Sequence, residues 1–147
     1  MKGLLIHATS LAFKAYYSLP SIPGKRGEKE SILTLFLRVI FRLLDEFKPQ
    51  YIACVFEEGA PKEIKKPGFT FTSYHPNIPD SLKEELEKLK IILESMGIYW
   101  IEQKGYCGED IIATLTALLK NECTEVYIVS PDKTLWQLVD EKVKVIN

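Results

Sequence analysis

The chain has 147 residues, 46% hydrophobic and 27% charged, with a formal net charge of -1. That length and balance fit one globular domain with a substantial core, and the near-neutral charge excludes a generic, wholly basic nucleic-acid binder. The three cysteines show no Cys-x-x-Cys spacing, which excludes a disulfide scaffold or zinc ribbon and suits a reducing cytoplasm.

The opening run Leu4-Leu5-Ile6 is too short for a signal peptide or membrane span, so the protein reads as cytoplasmic with no membrane partner. The same run reads as a strand buried on both faces and ending at His7. Residues 11–17 suit a short helix carrying Lys14, and the loop after it holds Lys25, Arg26 and Lys29. Ile32, Leu35, Phe36, Val39, Ile40, Leu43, Leu44 and Phe47 then recur at helical spacing until Lys48-Pro49. Residues 51–56 form a second buried strand that stops at Glu57. From Glu57 to Asp80 no period survives, and Pro61, Pro67, Gly68, Pro76 and Pro79 punctuate the stretch. Such a stretch is either a binding loop or an irregular surface crossing.

Ser81-Leu82-Lys83-Glu84 has capping-box spacing and predicts a helix burying Leu82, Leu86, Leu89, Leu93 and Met96, with Gly97 as its left-handed stop. Residues 98–101 read as a third strand. Gly105-Tyr106-Cys107-Gly108-Glu109-Asp110 then delivers two carboxylates to the first turn of an apolar helix that runs to about Asn121. Residues 126–129 form a fourth strand, leading through Ser130-Pro131-Asp132-Lys133 to a short helix at 135–139 and a last strand at 143–146.

Strands alternating with helices predict an α/β fold, a parallel sheet with helices on both faces and its site at the carboxyl ends of the strands. His7, Glu57 and Asp132 fall at such ends, and Glu109-Asp110 opens the helix after another. Carboxylates at a helix start are favoured by the dipole alone. Several converging in one cleft repel one another unless a hard cation joins them, Mg²⁺ or Mn²⁺. Two such ions about 4 Å apart support phosphodiester hydrolysis. No dinucleotide-binding fingerprint, phosphate-cradling Gly-Lys-Ser/Thr loop or nucleophile elbow competes. Ser10 lies close to His7, but no third group orienting a serine nucleophile can be read from the sequence.

Four motifs in order carry a resemblance: the opening Leu4 to Pro20, Leu43 to Glu57, Gly105 to Leu115, and Val129 to Leu138. Together they resemble the N-terminal 5′-nuclease domain of bacterial DNA polymerase I and the related flap endonucleases over almost the whole chain. The resemblance implies a single PIN-like domain over residues 1–147, without the helix-hairpin-helix region, and divalent-metal-dependent cleavage of 5′-ended or branched DNA. RNA is the other candidate substrate, and a separate polymerase or duplex-binding chain a candidate partner.

It also implies a ligand and catalytic set of Glu57, Glu109, Asp110 and Asp132, with His7 a further candidate metal ligand. Lys14, Lys133 and Tyr74 become the nucleic-acid contacts. Three of the family's acidic positions are not acidic here. His7 and Thr134 stand where it has aspartates, and its Gly-Tyr-Glu-Ala-Asp-Asp reads Gly-Tyr-Cys-Gly-Glu-Asp. So thin a set predicts one or two weakly held Mg²⁺ or Mn²⁺ ions and weakened hydrolysis. A re-purposed His7/Cys107 site for a softer metal is the lesser alternative. The competing functional readings are a catalytically inactive relative that binds nucleic acid or protein, and a fold-mate whose acids only start a helix.

Overall fold

The computed structural model describes residues 1–18, 32–57 and 78–147. The elements run β1 (Lys2–His7), α1 (Ala8–Ser18), α2 (Ile32–Phe47), β2 (Tyr51–Phe56), α3 (Asp80–Ser95), β3 (Tyr99–Glu102), α4 (Gly108–Leu119), β4 (Glu125–Val129), a 3-10 helix (Lys133–Leu138) and β5 (Val143–Ile146). All strand pairs are parallel, in the order β3-β2-β1-β4-β5. This is the predicted α/β architecture. The chain adds β2 and β3 on one side of β1 and then crosses to add β4 on the other. The order therefore reverses between β1 and β4, where a crevice opens at the carboxyl ends.

Side-chain alternation along the strands divides the core in two. Leu4, Ile6, Cys54, Phe56 and Val129 pack with Ile32, Phe36, Ile40, Leu82, Leu86, Leu89 and Leu93, which places α1, α2 and α3 on one face. Leu5, Ala53, Val55, Val126 and Ile128 pack with Ile111, Ile112 and Leu135, which places α4 and the 3-10 helix on the other. Carried one residue further along β1 and past β2, the same alternation turns His7 and Glu57 toward α4.

Several local expectations are corrected. α3 begins at Asp80 behind an extended Pro79 with no side-chain cap, so Ser81 and Glu84 form no capping box. The Pro79 carbonyl takes the Lys83 N–H at 2.9 Å, and the Ser81 hydroxyl bonds Tyr16 instead, at 3.0 Å. Gly97 does stop this helix in the left-handed region, at φ 76°.

α1 starts at Ala8 rather than residue 11, because its first turn packs directly on the end of the sheet, where the Thr9 hydroxyl accepts the Glu57 N–H at 2.9 Å. On α2, Val39 is exposed, and Leu33 and Leu37 flank the buried stripe in its place. β3 sits one residue later than expected because its register pairs Cys54 with Trp100 and Phe56 with Glu102. α4 ends at Leu119, two residues before Asn121. Tyr74, the 25–29 basic cluster and nearly all of the aperiodic 57–80 stretch lie outside the described residues. No helix among the described residues is long and apolar enough to cross a membrane.

Candidate metal centre

At the crevice, His7 is fully buried and Glu57 is 4% exposed. His7 Nε2 lies 2.9 Å from Glu57 Oε1 and 3.1 Å from Ser10 Oγ, while Nδ1 lies 2.8 Å from Ser130 Oγ. Ser130 Oγ also accepts the Asp132 N–H, at 3.0 Å. The order Ser130–His7–Glu57 has the sequence of contacts of a nucleophile, a base and an orienting acid. Ser130 is only 1% exposed, however, and its oxygen is tied to the backbone of the next turn. The line is a positioning network rather than a nucleophile relay.

α4 brings its first turn against this pair. Gly108 packs on His7 and Glu57 so closely that a Cβ there would lie 2.6 Å from His7 Nε2 and 2.7 Å from Glu57 Oε1. Glu109 follows, and donor atoms of His7, Glu57 and Glu109 all lie within 4.8 Å of one another. Asp132, at the start of the 3-10 helix, is held from the far side: its Oδ1 accepts the Thr134 N–H at 2.9 Å and the Thr134 hydroxyl at 2.8 Å. The residue that replaces a family aspartate thus orients the neighbouring one.

Both Glu109 carboxylate oxygens and Asp132 Oδ2 are buried, and no donor among the described residues reaches them. Two carboxyls facing each other across a dry gap are stable only with a proton or a cation between them. Burial first, then the facing Asp132 and the charge of Glu57, push the Glu109 carboxyl up to about 8. Asp132 goes the other way: burial opposes its ionisation, but hydrogen bonds from Glu109 and Thr134 outweigh it and hold the carboxyl below the usual range. Without metal, Glu109 is therefore the proton carrier of the pair. Three features fit one divalent ion: the orphaned oxygens, a Gly108 without the Cβ that would press on the donor atoms of His7 and Glu57, and the nitrogen-plus-carboxylate donor set.

The raised Glu109 value has a sign that can be checked. A carboxyl whose folded value lies above its unfolded value contributes stability fully present below the unfolded value and lost as pH rises through the folded one. Protein kept in chelator is expected to lose thermal stability between about pH 4.5 and 8. Glu109→Gln, which cannot ionise, should flatten that part of the profile. The contribution of Asp132 varies only at more acid pH, outside this window. Melting curves of both proteins at pH 5 and pH 8 measure the difference, and parallel profiles would remove the facing-carboxyl account.

Not every expected residue joins the group. Asp110 is exposed on the outer side of α4, and its Oδ2 accepts the Cys107 S–H at 3.0 Å. Burial first, then the Asp110 contact, push the Cys107 thiol up to about 12. Cys107 stands outside the His7, Glu57 and Glu109 group. Lys133 lies over the exposed Trp136 ring, 5.8 Å from its centroid, and the Lys14 ammonium reaches Asn147 Oδ1 at 3.4 Å. Sequence reasoning missed Ser130, Thr9 and Gly108. Two of these act through a hydroxyl whose partner is distant in the chain. For Gly108 a signal was present: a residue without a side chain, where the family has alanine, accompanies longer side chains at positions 7 and 57.

With this geometry in view, the chain matches the family described as 5′-3′ exonuclease, N-terminal resolvase-like domain, over residues 2–147. It is 34% identical over 148 aligned residues to a 5′-3′ exonuclease of Aquifex aeolicus, covering 100% of this chain and 51% of that one. It is 29% identical over 143 residues to DNA polymerase I of Deinococcus radiodurans, covering 97% of this chain and 15% of that one. A bacteriophage T5 flap endonuclease, solved with DNA and metal ions, superposes with a TM-score of 0.65 at 15% identity, covering 99% of this chain and 54% of the other. The chain thus spans about half the length of the first relative and a small part of the second.

Proposed function

Because the chain belongs to the 5′-3′ exonuclease N-terminal, resolvase-like family, we propose that it is the metal-dependent catalytic domain of a nuclease acting on DNA at 5′ ends or flaps. The observation that carries this reading is the facing pair Glu109 and Asp132, with buried oxygens that no donor among the described residues reaches, Glu109 lying within 4.8 Å of His7 and Glu57 at the strand ends. A divalent ion held there supplies water activation and stabilises the leaving oxygen in phosphodiester hydrolysis. Mg²⁺ and Mn²⁺ are the ions proposed, and the T5 flap endonuclease, solved with DNA and metal ions, supports metal dependence and the substrate class.

The chain's own residues divide the work. Glu57, Glu109 and Asp132 supply carboxylate oxygens, with Thr9 and Thr134 fixing the first and last of them. Ser130 orients the His7 ring. Asp110, exposed on the same helix turn, is proposed to attract a second ion rather than to share the buried one. Lys133, beside Asp132, and Lys14 are proposed phosphate contacts that position the strand without reading its sequence. Tyr74 is a proposed stacking contact that lies outside the described residues. The polymerase I relative, of which the matching segment is 15%, makes a DNA polymerase the proposed partner.

The test is cleavage of a labelled 5′-flap DNA by the protein with Mn²⁺ or Mg²⁺ against the same reaction in chelator. Metal-stimulated release of the flap is expected, with little cleavage of a matched RNA. Equal product with ion and with chelator, or none in either, would overturn the nuclease reading.

A further inference from the structure

We infer that His7 and Gly108 act together to give this centre a nitrogen ligand and to set it for a transition-type divalent ion, Mn²⁺ or Zn²⁺, over Mg²⁺. The inference rests on the metal-dependent reading above and deepens it. It starts from spacing. Donors bound cis to one ion at roughly 2.0–2.2 Å lie about 3 Å apart when the angle at the ion is near 90°, and His7 Nε2 and Glu57 Oε1 are 2.9 Å apart. That spacing suits the two atoms as adjacent donors to one ion.

The ring is held for that role. Nδ1 faces Ser130 Oγ at 2.8 Å, and when Nδ1–H donates to that oxygen the lone pair rests on Nε2, facing the cluster. Metal-binding imidazoles are commonly fixed in this way by the partner of their other nitrogen. Glu57 is fixed through its backbone N–H on Thr9. Glu109, with both oxygens lacking a donor among the described residues, completes a set of one nitrogen and two carboxylates.

Gly108 supplies the space. It is a helix residue outside the left-handed region occupied by Gly97 and Gly105, so its backbone conformation does not call for glycine. Glycine inside a helix is less favourable than alanine. The compensation lies in packing: any Cβ at 108 would lie 2.6 and 2.7 Å from the two donor atoms. Those atoms cannot step back, because His7 is fully buried and Glu57 nearly so. The longer ligands and the missing methyl belong together. An imidazole nitrogen raises affinity for Mn²⁺ and more strongly for Zn²⁺, while Mg²⁺ prefers oxygen donors and retains its waters.

The experiment is calorimetric titration of metal-free full chain with Mn²⁺, Zn²⁺ and Mg²⁺, for wild type, His7→Asn, Gly108→Ala and the triple variant H7D/E57D/G108A. Alongside it, imidazole ¹⁵N shifts are recorded on adding Zn²⁺. Wild type is expected to bind Mn²⁺ and Zn²⁺ more tightly than Mg²⁺, with the Nε2 shift of His7 moving to that of a ligated nitrogen. His7→Asn should weaken Mn²⁺ and Zn²⁺ by roughly 10- to 100-fold while leaving Mg²⁺ unchanged, and Gly108→Ala should weaken all three ions. The triple variant, whose shorter carboxylates leave room for the methyl, should lose the preference for Mn²⁺ over Mg²⁺.

If Gly108→Ala does not fold, His7→Asn and the ¹⁵N shift decide. The shift also separates ligation at His7 from zinc held by a cysteine. Ion binding that is unchanged in His7→Asn but lost in Asp132→Asn would overturn this inference and leave the metal-dependent reading standing. No binding of any ion by folded wild type would overturn both.

Discussion

Glu109→Gln and Asp132→Asn should each lower metal-stimulated flap cleavage by about 10²- to 10³-fold, the scale on which one preorganised charged group contributes to a transition state. Both substitutions keep size and remove charge, so neither opens a cavity. What they remove is half of a pair whose buried oxygens have no donor among the described residues. The desolvation cost is built into the fold, and the pair is ready to hold a cation without reorganising. Asp110→Asn should cost clearly less, because Asp110 is exposed and its carboxylate is engaged by Cys107 at 3.0 Å. Single-turnover cleavage rates with Mn²⁺, normalised by circular dichroism to folded protein, would rank the three. If Asp110→Asn proves the most damaging, the reacting phosphate sits on the outer side of α4 and the buried pair is structural.

Phe56→Ala is expected to destabilise the fold by about 3–5 kcal/mol, the range for a large aromatic truncated in a core. Phe56 is 1% exposed, meets the Trp100 ring edge-on at 5.9 Å, and has the Lys90 ammonium 5.3 Å from its ring centroid. Lys90 in turn bridges Glu87 and Glu102, so the ring forms one wall around a largely buried cation. Because Phe56 ends β2 immediately before Glu57, the cavity should also loosen a proposed metal ligand. Ion binding should weaken even where the protein remains folded. Urea denaturation gives the number, and Tyr99→Ala on an exposed ring of the neighbouring strand is the comparison, expected within about 0.5 kcal/mol of wild type. Similar midpoints for the two variants would mean that Phe56 is not part of the α1–α3 core.

The alternation of elements was legible because each buried strand is a short continuous apolar run and each helix carries a strong stripe. The parallel order then follows from connections too long for hairpins. Boundaries failed where a tertiary partner was decisive. Ser81 does not cap α3, because Tyr16 engages its hydroxyl and Pro79 already lies extended ahead of the first turn. Val39 belongs to the helical pattern but faces outward, since the sheet meets α2 along Ile32, Phe36, Ile40 and Leu43.

For the site, the sequence by itself determined the candidates. His7, Glu57, Glu109 and Asp132 stand at strand ends or at the helix start, and chain order alone is enough to place them near one edge of a parallel sheet. Only the tertiary structure decided how they divide. Asp110, one residue from Glu109, turns outward because neighbours on a helix diverge by about 100°, and which of the two faces inward depends on how α4 packs on Leu5 and Val55. The alternation of β1 and β2 likewise sends His7 and Glu57 to the face where Gly108 waits. A motif gives the residue types that chemistry needs. The close packing of Gly108 on His7 and Glu57, the Ser130 contact 123 residues from His7 and the Glu109 oxygens left without a donor among the described residues exist only once distant segments are packed together.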